Sequence, residues 1–95
     1  MIKVLIVDDE PQHAALTALK LQQIAPEWRV DALCDPVEAA DAVVEEEYDA
    51  VVADFDMPVV SGDQLLTTIA RRRPLTVRVL VAPRIDIGNQ VMAIG

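Results

Sequence analysis

Five acidic side chains lie at the ends of two short apolar runs, where their carboxylates could bind a metal ion. They are Asp8, Asp9, Glu10, Asp54 and Asp56. If the ends of the two runs meet in the fold, the carboxylates repel one another and lose hydration. Both effects raise their pKa values unless a cation compensates the charge. Oxygen ligands suit a hard divalent ion, and an open site that keeps several waters suits Mg²⁺ better than Ca²⁺. The sequence therefore predicts an acidic pocket suited to Mg²⁺.

The apolar runs that precede these acids are predicted to be strands. The first, residues 2–7, is continuous, rich in β-branched residues and too short for a helix, which is typical of a strand buried on both faces. Similar runs predict further strands over residues 29–34, 50–54 and 77–82.

Helical patterns separate these strands. Helices are predicted over residues 12–25, after the capping residue Asp35, between Gly62 and the arginines 71–73, and over residues 86–94. The side chains expected to face the core are Ala14, Ala15, Ala18, Leu19, Leu21 and Ala25 in the first helix, Val37, Ala40 and Val44 in the second, and Leu65, Leu66, Ile69 and Ala70 in the third. The three arginines suit the negative end of the third helix dipole, so capping is favoured over a phosphate site.

Four strand-helix units with short connections predict an α/β fold. The expected architecture is a doubly wound parallel sheet with helices on both faces. Ligand sites in such sheets form at the carboxyl ends of the strands, near a switch in strand order. Asp9 and Asp54, although 45 positions apart, are therefore expected to converge.

Size and charge limit the function further. A chain of 95 residues with 53% hydrophobic content is expected to form one compact domain. Its net charge of -8 argues against direct binding of nucleic acid or of an anionic membrane. With no signal-peptide pattern and no apolar run of about 18 residues, a cytoplasmic location is expected. The single cysteine, Cys34, is expected to be a buried thiol.

Three motifs together carry a family resemblance. They are Val7-Asp8-Asp9-Glu10-Pro11, then Asp54-Phe55-Asp56-Met57-Pro58, then Ser61-Gly62. In this order and at these separations they resemble the chemotaxis-type receiver domain of bacterial two-component response regulators, which has a flavodoxin-like fold. The resemblance covers residues 1–82.

The resemblance implies a role for each matching residue. Asp54 would be both the phosphoryl acceptor and a Mg²⁺ ligand. Asp9 would be a direct Mg²⁺ ligand, Asp8 a ligand directly or through water, and Asp56 a ligand through its backbone carbonyl. A sensor histidine kinase or a histidine phosphotransfer protein would be the donor. The domain would not be an enzyme beyond catalysing its own phosphoryl transfer and dephosphorylation.

The sequence also departs from the family pattern. Val81 occupies a position where the family usually has Ser or Thr, and it lacks their hydroxyl. The chain ends before the fifth strand and its lysine, and neither Lys3 nor Lys20 is expected to reach the site. Arg84 could substitute for that lysine, although a surface role is favoured. An incomplete sheet edge would be covered by a homodimer or by another partner.

Two alternative functions stay open from sequence alone. A pseudo-receiver would keep the acidic pocket as a binding or dimerisation module without a phosphorylation switch, as the missing hydroxyl and lysine suggest. A haloacid-dehalogenase-like phosphatase also uses two aspartates separated by one residue, as in Asp54-Phe55-Asp56. The simplest alternative is that these acids only form turns, and that His13 is an exposed helix residue.

Overall fold

One sheet of five strands organises the molecule, in the order β2-β1-β3-β4-β5. The computed structural model describes residues 1–84 and 88–94, with side chains described for residues 1–82. The elements are β1 (Lys3–Val7), α1 (Pro11–Ile24), β2 (Arg29–Leu33), α2 (Pro36–Glu45), β3 (Ala50–Asp54), α3 (Gly62–Arg72), β4 (Val77–Arg84) and β5 (Gly88–Ile94). Strands β1 to β4 are parallel, which confirms the predicted doubly wound α/β fold.

The end of the chain differs from its prediction. A helix over residues 86–94 is wrong, because Gly88–Ile94 is a strand that pairs antiparallel with β4 from Arg84↔Gly88 to Arg78↔Ile94. Residues 85–87 lie outside the described residues. A helix this short is marginal by itself, whereas the free edge of β4 offers a full row of backbone hydrogen bonds. Among the described residues, the fourth strand is therefore followed by a strand and not by a helix.

The main core lies between the sheet and the helices α2 and α3. Its buried side chains are Leu5, Val7, Ala39, Val43, Tyr48, Val51, Ala53, Met57, Leu65, Leu66, Ile69 and Leu80. In α3 the predicted inward side chains Leu65, Leu66 and Ile69 are buried, as expected. In α2 the predicted Ala40 packs against this core. The prediction is wrong for Val37 and Val44, which are exposed while Ala39 and Val43 are fully buried.

Helix α1 covers the opposite face of the sheet less completely. Side chains alternate along β1, so Val4 and Ile6 face away from the main core, and both are buried. Ala14 and Ala25 are also buried, but Ala15 and Leu19 are exposed, contrary to the prediction. The apolar side of α1 is therefore only partly used within the described residues.

Local signals at helix ends are reliable. Asp35 caps α2 by accepting a hydrogen bond from Val37 N at 2.8 Å, as predicted. At the start of α3, Gln64 Oε1 accepts from Ser61 N at 3.1 Å, a capping contact that the sequence analysis did not identify. Cys34 follows β2 and is exposed, so its predicted burial is wrong.

None of the helices within the described residues is both long enough and apolar enough to span a membrane.

Candidate functional site: an acidic pocket

Three carboxylates converge at one end of the sheet. Each of Asp8, Asp9 and Asp54 offers an oxygen atom that lies within 4.8 Å of the other two, and all three side chains are half-buried. The sequence placed these acids at strand ends, and the structure brings them together across 45 positions of the chain. Their roles as ligand or acceptor stay predictions.

The pairing of β1 with β3 causes this convergence. The two strands are parallel neighbours, with Val7 opposite Ala53, so the chain leaves both strands at the same edge. Asp8 follows β1 directly, and Asp54 is the last residue of β3. Asp8 N donates to Leu33 O at 3.2 Å, and Asp8 Oδ1 accepts from Glu10 N at 3.0 Å, which fixes the turn into α1.

Gly62 sets the distance between α3 and β3. A Cβ atom added at Gly62 would lie 2.3 Å from the backbone oxygen of Asp54 and 2.8 Å from Leu80 Cδ1. Its N–H donates to Phe55 O at 3.0 Å, so the start of α3 is held directly against the end of β3. Glycine is needed here because of this close approach.

Burial and mutual repulsion among the acids disfavour the charged form of Asp54. The pKa of the Asp54 carboxyl is raised, first because burial disfavours its charged form and next because Asp8 is close. The carboxylates of Asp9 and Asp56 act in the same direction, while the backbone N–H of Asp56 donates to Asp54 and opposes the shift. The pocket therefore holds more negative charge than its own donors compensate.

This donor set fits a hard divalent cation. The three converging groups are all carboxylates, without the thiolate or imidazole ligands that zinc sites use. Their half-buried positions leave room for water, which suits Mg²⁺. Asp8, Asp9 and Asp54 are thus the side chains that could hold the ion. Asp56 is exposed and lines the same pocket, and its carbonyl as a ligand stays a prediction.

A pocket of about 410 Å³ opens beside the three acids. Its wall is formed by Asp8, Glu10, His13, Leu16, Thr17, Lys20, Asp54, Asp56 and Val81. Val81 pairs directly with Asp54 in the β3–β4 register, so an aliphatic side chain lies next to Asp54. His13 is exposed, as expected, and its Nδ1 lies 3.2 Å from Glu10 Oε2 at the pocket rim.

Lys20 departs from its predicted position. The sequence analysis placed both lysines away from the site, but Lys20 is part of this pocket wall. Four positions of α1, at residues 13, 16, 17 and 20, face the pocket with helical spacing. Lys3 lies elsewhere, with its Nζ 3.2 Å from Glu46 Oε2. The side chain of Arg84, the other candidate cation, is outside the described residues.

A larger concavity of about 660 Å³ lies at the opposite end of the strands. Two of its cations, Lys3 and Arg73, have structural partners. Lys3 pairs with Glu46, and Arg73 donates from Nε to Val43 O at 2.9 Å. Since no set of converging acids lies there among the described residues, the functional site is placed at the acidic pocket.

The fold and the acidic pocket together define the class of protein. The family model described as the response regulator receiver domain matches residues 4–94. The chain therefore belongs to the response regulator receiver domain family. This assignment leaves the hydrolase interpretation of Asp54-Phe55-Asp56 without support.

Particular relatives agree with this class. The transcriptional regulatory protein TcrA of Mycobacterium tuberculosis is 30% identical over 90 residues, which are 95% of this chain and 35% of that protein. A protein-glutamate methylesterase/protein-glutamine glutaminase of Gluconobacter oxydans is 36% identical over 76 residues, 80% of this chain and 22% of that protein. The chain thus spans about a third or less of the curated relatives it matches.

Solved structures show the same fold. The structure of the histidine kinase ThkA in complex with the response regulator TrrA matches with a TM-score of 0.76 and 29% identity, over 84% of this chain and 67% of that chain. Chemotaxis protein CheY4 of Vibrio cholerae matches with a TM-score of 0.75 and 24% identity, over 84% and 67% of the two chains.

Proposed function

We propose that this receiver domain accepts a phosphoryl group on Asp54 in the presence of Mg²⁺. The observation that carries the proposal is the convergence of Asp8, Asp9 and Asp54 within 4.8 Å at the carboxyl ends of β1 and β3. The same position in the fold is where parallel α/β sheets bind ligands.

The chemistry assigns a distinct task to each acid. An oxygen of the Asp54 carboxylate attacks phosphorus, a P–O bond forms, and the P–N bond to the donor histidine breaks with its electron pair returning to the imidazole. Asp8, Asp9, Asp54 and the carbonyl of Asp56 would hold the ion. Mg²⁺ supplies charge neutralisation for the transferred oxygens when it is bound. The domain catalyses only its own transfer and dephosphorylation.

The donor proposed for this chain is a phosphohistidine on a sensor kinase or phosphotransfer protein. Support comes from the family assignment and from TrrA, which was solved in complex with a histidine kinase. A cytoplasmic location, without direct binding of nucleic acid or membrane, is part of the same proposal and agrees with the net charge of -8.

Phosphoryl uptake tests the proposal directly. The chain is incubated with Mg²⁺ and a small phosphodonor such as phosphoramidate, and intact mass is recorded. We expect wild-type protein to gain one phosphoryl group, Asp54→Asn to gain none, and EDTA to prevent the gain. Asp41→Asn is the matched control, because Asp41 is an exposed acid on α2. An unlabelled wild type, under conditions that label another receiver domain, would overturn the proposal.

Val81 favours a second candidate, the pseudo-receiver. Its side chain lies beside Asp54 and cannot donate a hydrogen bond to a phosphoryl oxygen. A binding or dimerisation module would use the acidic pocket without a switch. Its signature is partner binding that is the same for wild type and Asp54→Asn.

Replacing Val81 separates reception from switching. Val81→Thr adds a hydroxyl with little change of shape beside the acceptor. We expect phosphorylation to change amide hydrogen exchange in β4 more strongly in Val81→Thr than in wild type, where the hydroxyl contact is lacking. Equal changes in both proteins would show that Val81 does not limit the switch.

The expected homodimer or covering partner also stays a prediction. One reason for expecting a partner is weaker, because β5 already pairs with the edge of β4 that was expected to be open. The exposed apolar residues Leu16 and Leu19 on α1 are the remaining reason within the described side chains.

A further inference from the structure

The wall of the acidic pocket carries one lysine, on a helix that follows the first two acids. The pocket contains the carboxylates of Asp8, Glu10, Asp54 and Asp56, and Lys20 is its one lysine or arginine among the described residues. The exposed imidazole of His13 also lines it. His13 is engaged by Glu10 at 3.2 Å. Lys20 makes no ion pair of 4.0 Å or less with any other described side chain.

The direction of helical side chains brings Lys20 towards the acids. Helix α1 begins beside the pocket at Pro11, and Lys20 lies nine positions further along, roughly 13 Å by helical rise. Side chains on a helix tilt towards its N-terminus, which here is the end at the acids. Lys20 is exposed and lines the same pocket as Asp54, and this tilt favours the direction of the acids.

Phosphorylation makes a cation at this position valuable. A phosphoryl group adds about -1.5 to -2 charges to a pocket that already holds four carboxylates. We propose that Lys20 is a positioning residue that supplies the protein's own positive charge to this pocket, lowering the repulsion among its acids and attracting the phosphoryl group carried by Asp54. The second part of this inference rests on the proposed function.

The inference predicts two effects of Lys20→Gln with opposite signs. Removing the charge should slow phosphoryl uptake from phosphoramidate about three- to tenfold, as expected when one unit of positive charge is lost from a partly aqueous pocket. The same substitution should strengthen Mg²⁺ binding to the unphosphorylated protein about threefold, because a repelling charge is lost. A merely structural role for Lys20 would not produce this pair of changes.

The experiment compares four proteins. Wild type, Lys20→Gln, Lys20→Arg and Arg71→Gln are titrated with Mg²⁺ by calorimetry and then labelled with phosphoramidate at saturating Mg²⁺, with initial rates read from intact mass. Arg71→Gln is the matched control, because it removes one positive charge from an exposed position in the last turn of α3. We expect Lys20→Arg and Arg71→Gln to behave like wild type in both measurements.

Failure of this inference is distinguishable from failure of the proposed function. If wild type is labelled and Lys20→Gln is labelled at the same rate, the inference is overturned while the proposed function stands. If wild type is not labelled, the proposed function fails. The Mg²⁺ titration then tests by itself whether Lys20 supplies positive charge to the pocket. A Mg²⁺ affinity that Lys20→Gln leaves unchanged overturns the inference in either case.

Discussion

At the scale of single residues, the ionisation of Asp54 should have a measurable effect on the stability of the protein. Burial and the neighbouring acids Asp8, Asp9 and Asp56 disfavour the charged form of its carboxyl, so the pKa of this carboxyl in the folded protein lies above its ordinary value. Such a shift is also a statement about stability, because the unfolded chain releases the proton at a lower pH than the folded one does.

Asp54→Asn should therefore stabilise the metal-free protein at neutral pH. At a pH below the ordinary pKa of the carboxyl, both states are protonated and the shift costs nothing. As the pH rises towards the raised pKa, the unfolded state ionises first and folded wild type loses stability. We expect the advantage of Asp54→Asn to grow from low to neutral pH in EDTA and to shrink when Mg²⁺ is added. Urea unfolding, followed by the single tryptophan Trp28, measures this. A constant difference across the pH range would contradict it.

Val59 is strained in the loop that follows β3. It adopts a φ of 69°, a left-handed conformation that β-branched residues rarely accept, and its side chain is 97% exposed. Val59→Asn should stabilise the protein by about 1 kcal/mol, because asparagine tolerates this conformation and no buried contact is lost. Thermal unfolding should show a rise of roughly 4–8 °C. Val37→Asn, at an exposed position in α2, should give no such rise.

At the scale of elements, the start of α3 is packed closely against the end of β3. Gly62→Ala forces a Cβ against the Asp54 carbonyl oxygen, with only 2.3 Å between them. Either the helix or the strand must move, and we expect a loss of about 1–3 kcal/mol of unfolding free energy. Because the movement displaces Asp54, Mg²⁺ affinity should fall as well. A variant with unchanged stability and unchanged metal binding would show that α3 moves freely there.

The three arginines at the end of α3 have different tasks. Arg73 donates from Nε to Val43 O at 2.9 Å and from Nη2 to Val44 O at 2.6 Å, which satisfies carbonyls at the end of α2. Capping was predicted for these arginines, but through an interaction with the negative end of the α3 dipole. The observed contact instead fastens one helix to its neighbour.

Arg73→Met should therefore destabilise the protein by about 1–3 kcal/mol, because it removes two charge-assisted hydrogen bonds while keeping the aliphatic part of the side chain. Arg71→Met, its exposed neighbour, should stay within about 0.5 kcal/mol of wild type. Denaturant unfolding of the two variants side by side measures the contrast. Equal losses would mean that the arginines act only through helix propensity or net charge.

At the scale of the whole molecule, the two faces of the sheet are unequally covered. Helices α2 and α3 bury Leu5, Leu65 and Ile69 almost completely. On the other face, Leu19 of α1 is 56% exposed. The stability of the described part of the chain should therefore depend mainly on one layer.

Two leucine truncations test this asymmetry. Leu65→Ala should cost about 2–5 kcal/mol of unfolding free energy, because it leaves a cavity in the main core. Leu19→Ala should cost less than about 1 kcal/mol, since alanine favours the helix and little buried area is lost. If Leu19→Ala proved as costly as Leu65→Ala, another part of the protein or a second copy would have to cover α1. Light scattering over a range of concentrations would separate those two cases.

The sequence determined the strands β1 to β4, the placement of α1 to α3 and the meeting of Asp8, Asp9 and Asp54. These features follow from patterns read along the chain, because parallel strands that start at one edge of a sheet must end at the other. The capping residue Asp35 and the inward face of α3 were also predictable, because each depends on near neighbours in sequence.

Tertiary structure decided the rest. Residues 88–94 became a strand because the edge of β4 offered hydrogen bonds that a short helix could not match. Ala39 and Val43 were buried in place of Val37 and Val44 because packing against α3 selected one of two overlapping apolar stripes. Lys20 lies in the pocket wall because of the way α1 packs on the sheet. The periodicity of the helix does not encode that packing. Asp54 thus stands in a pocket whose acids the sequence identifies and whose cation only the packing of α1 reveals.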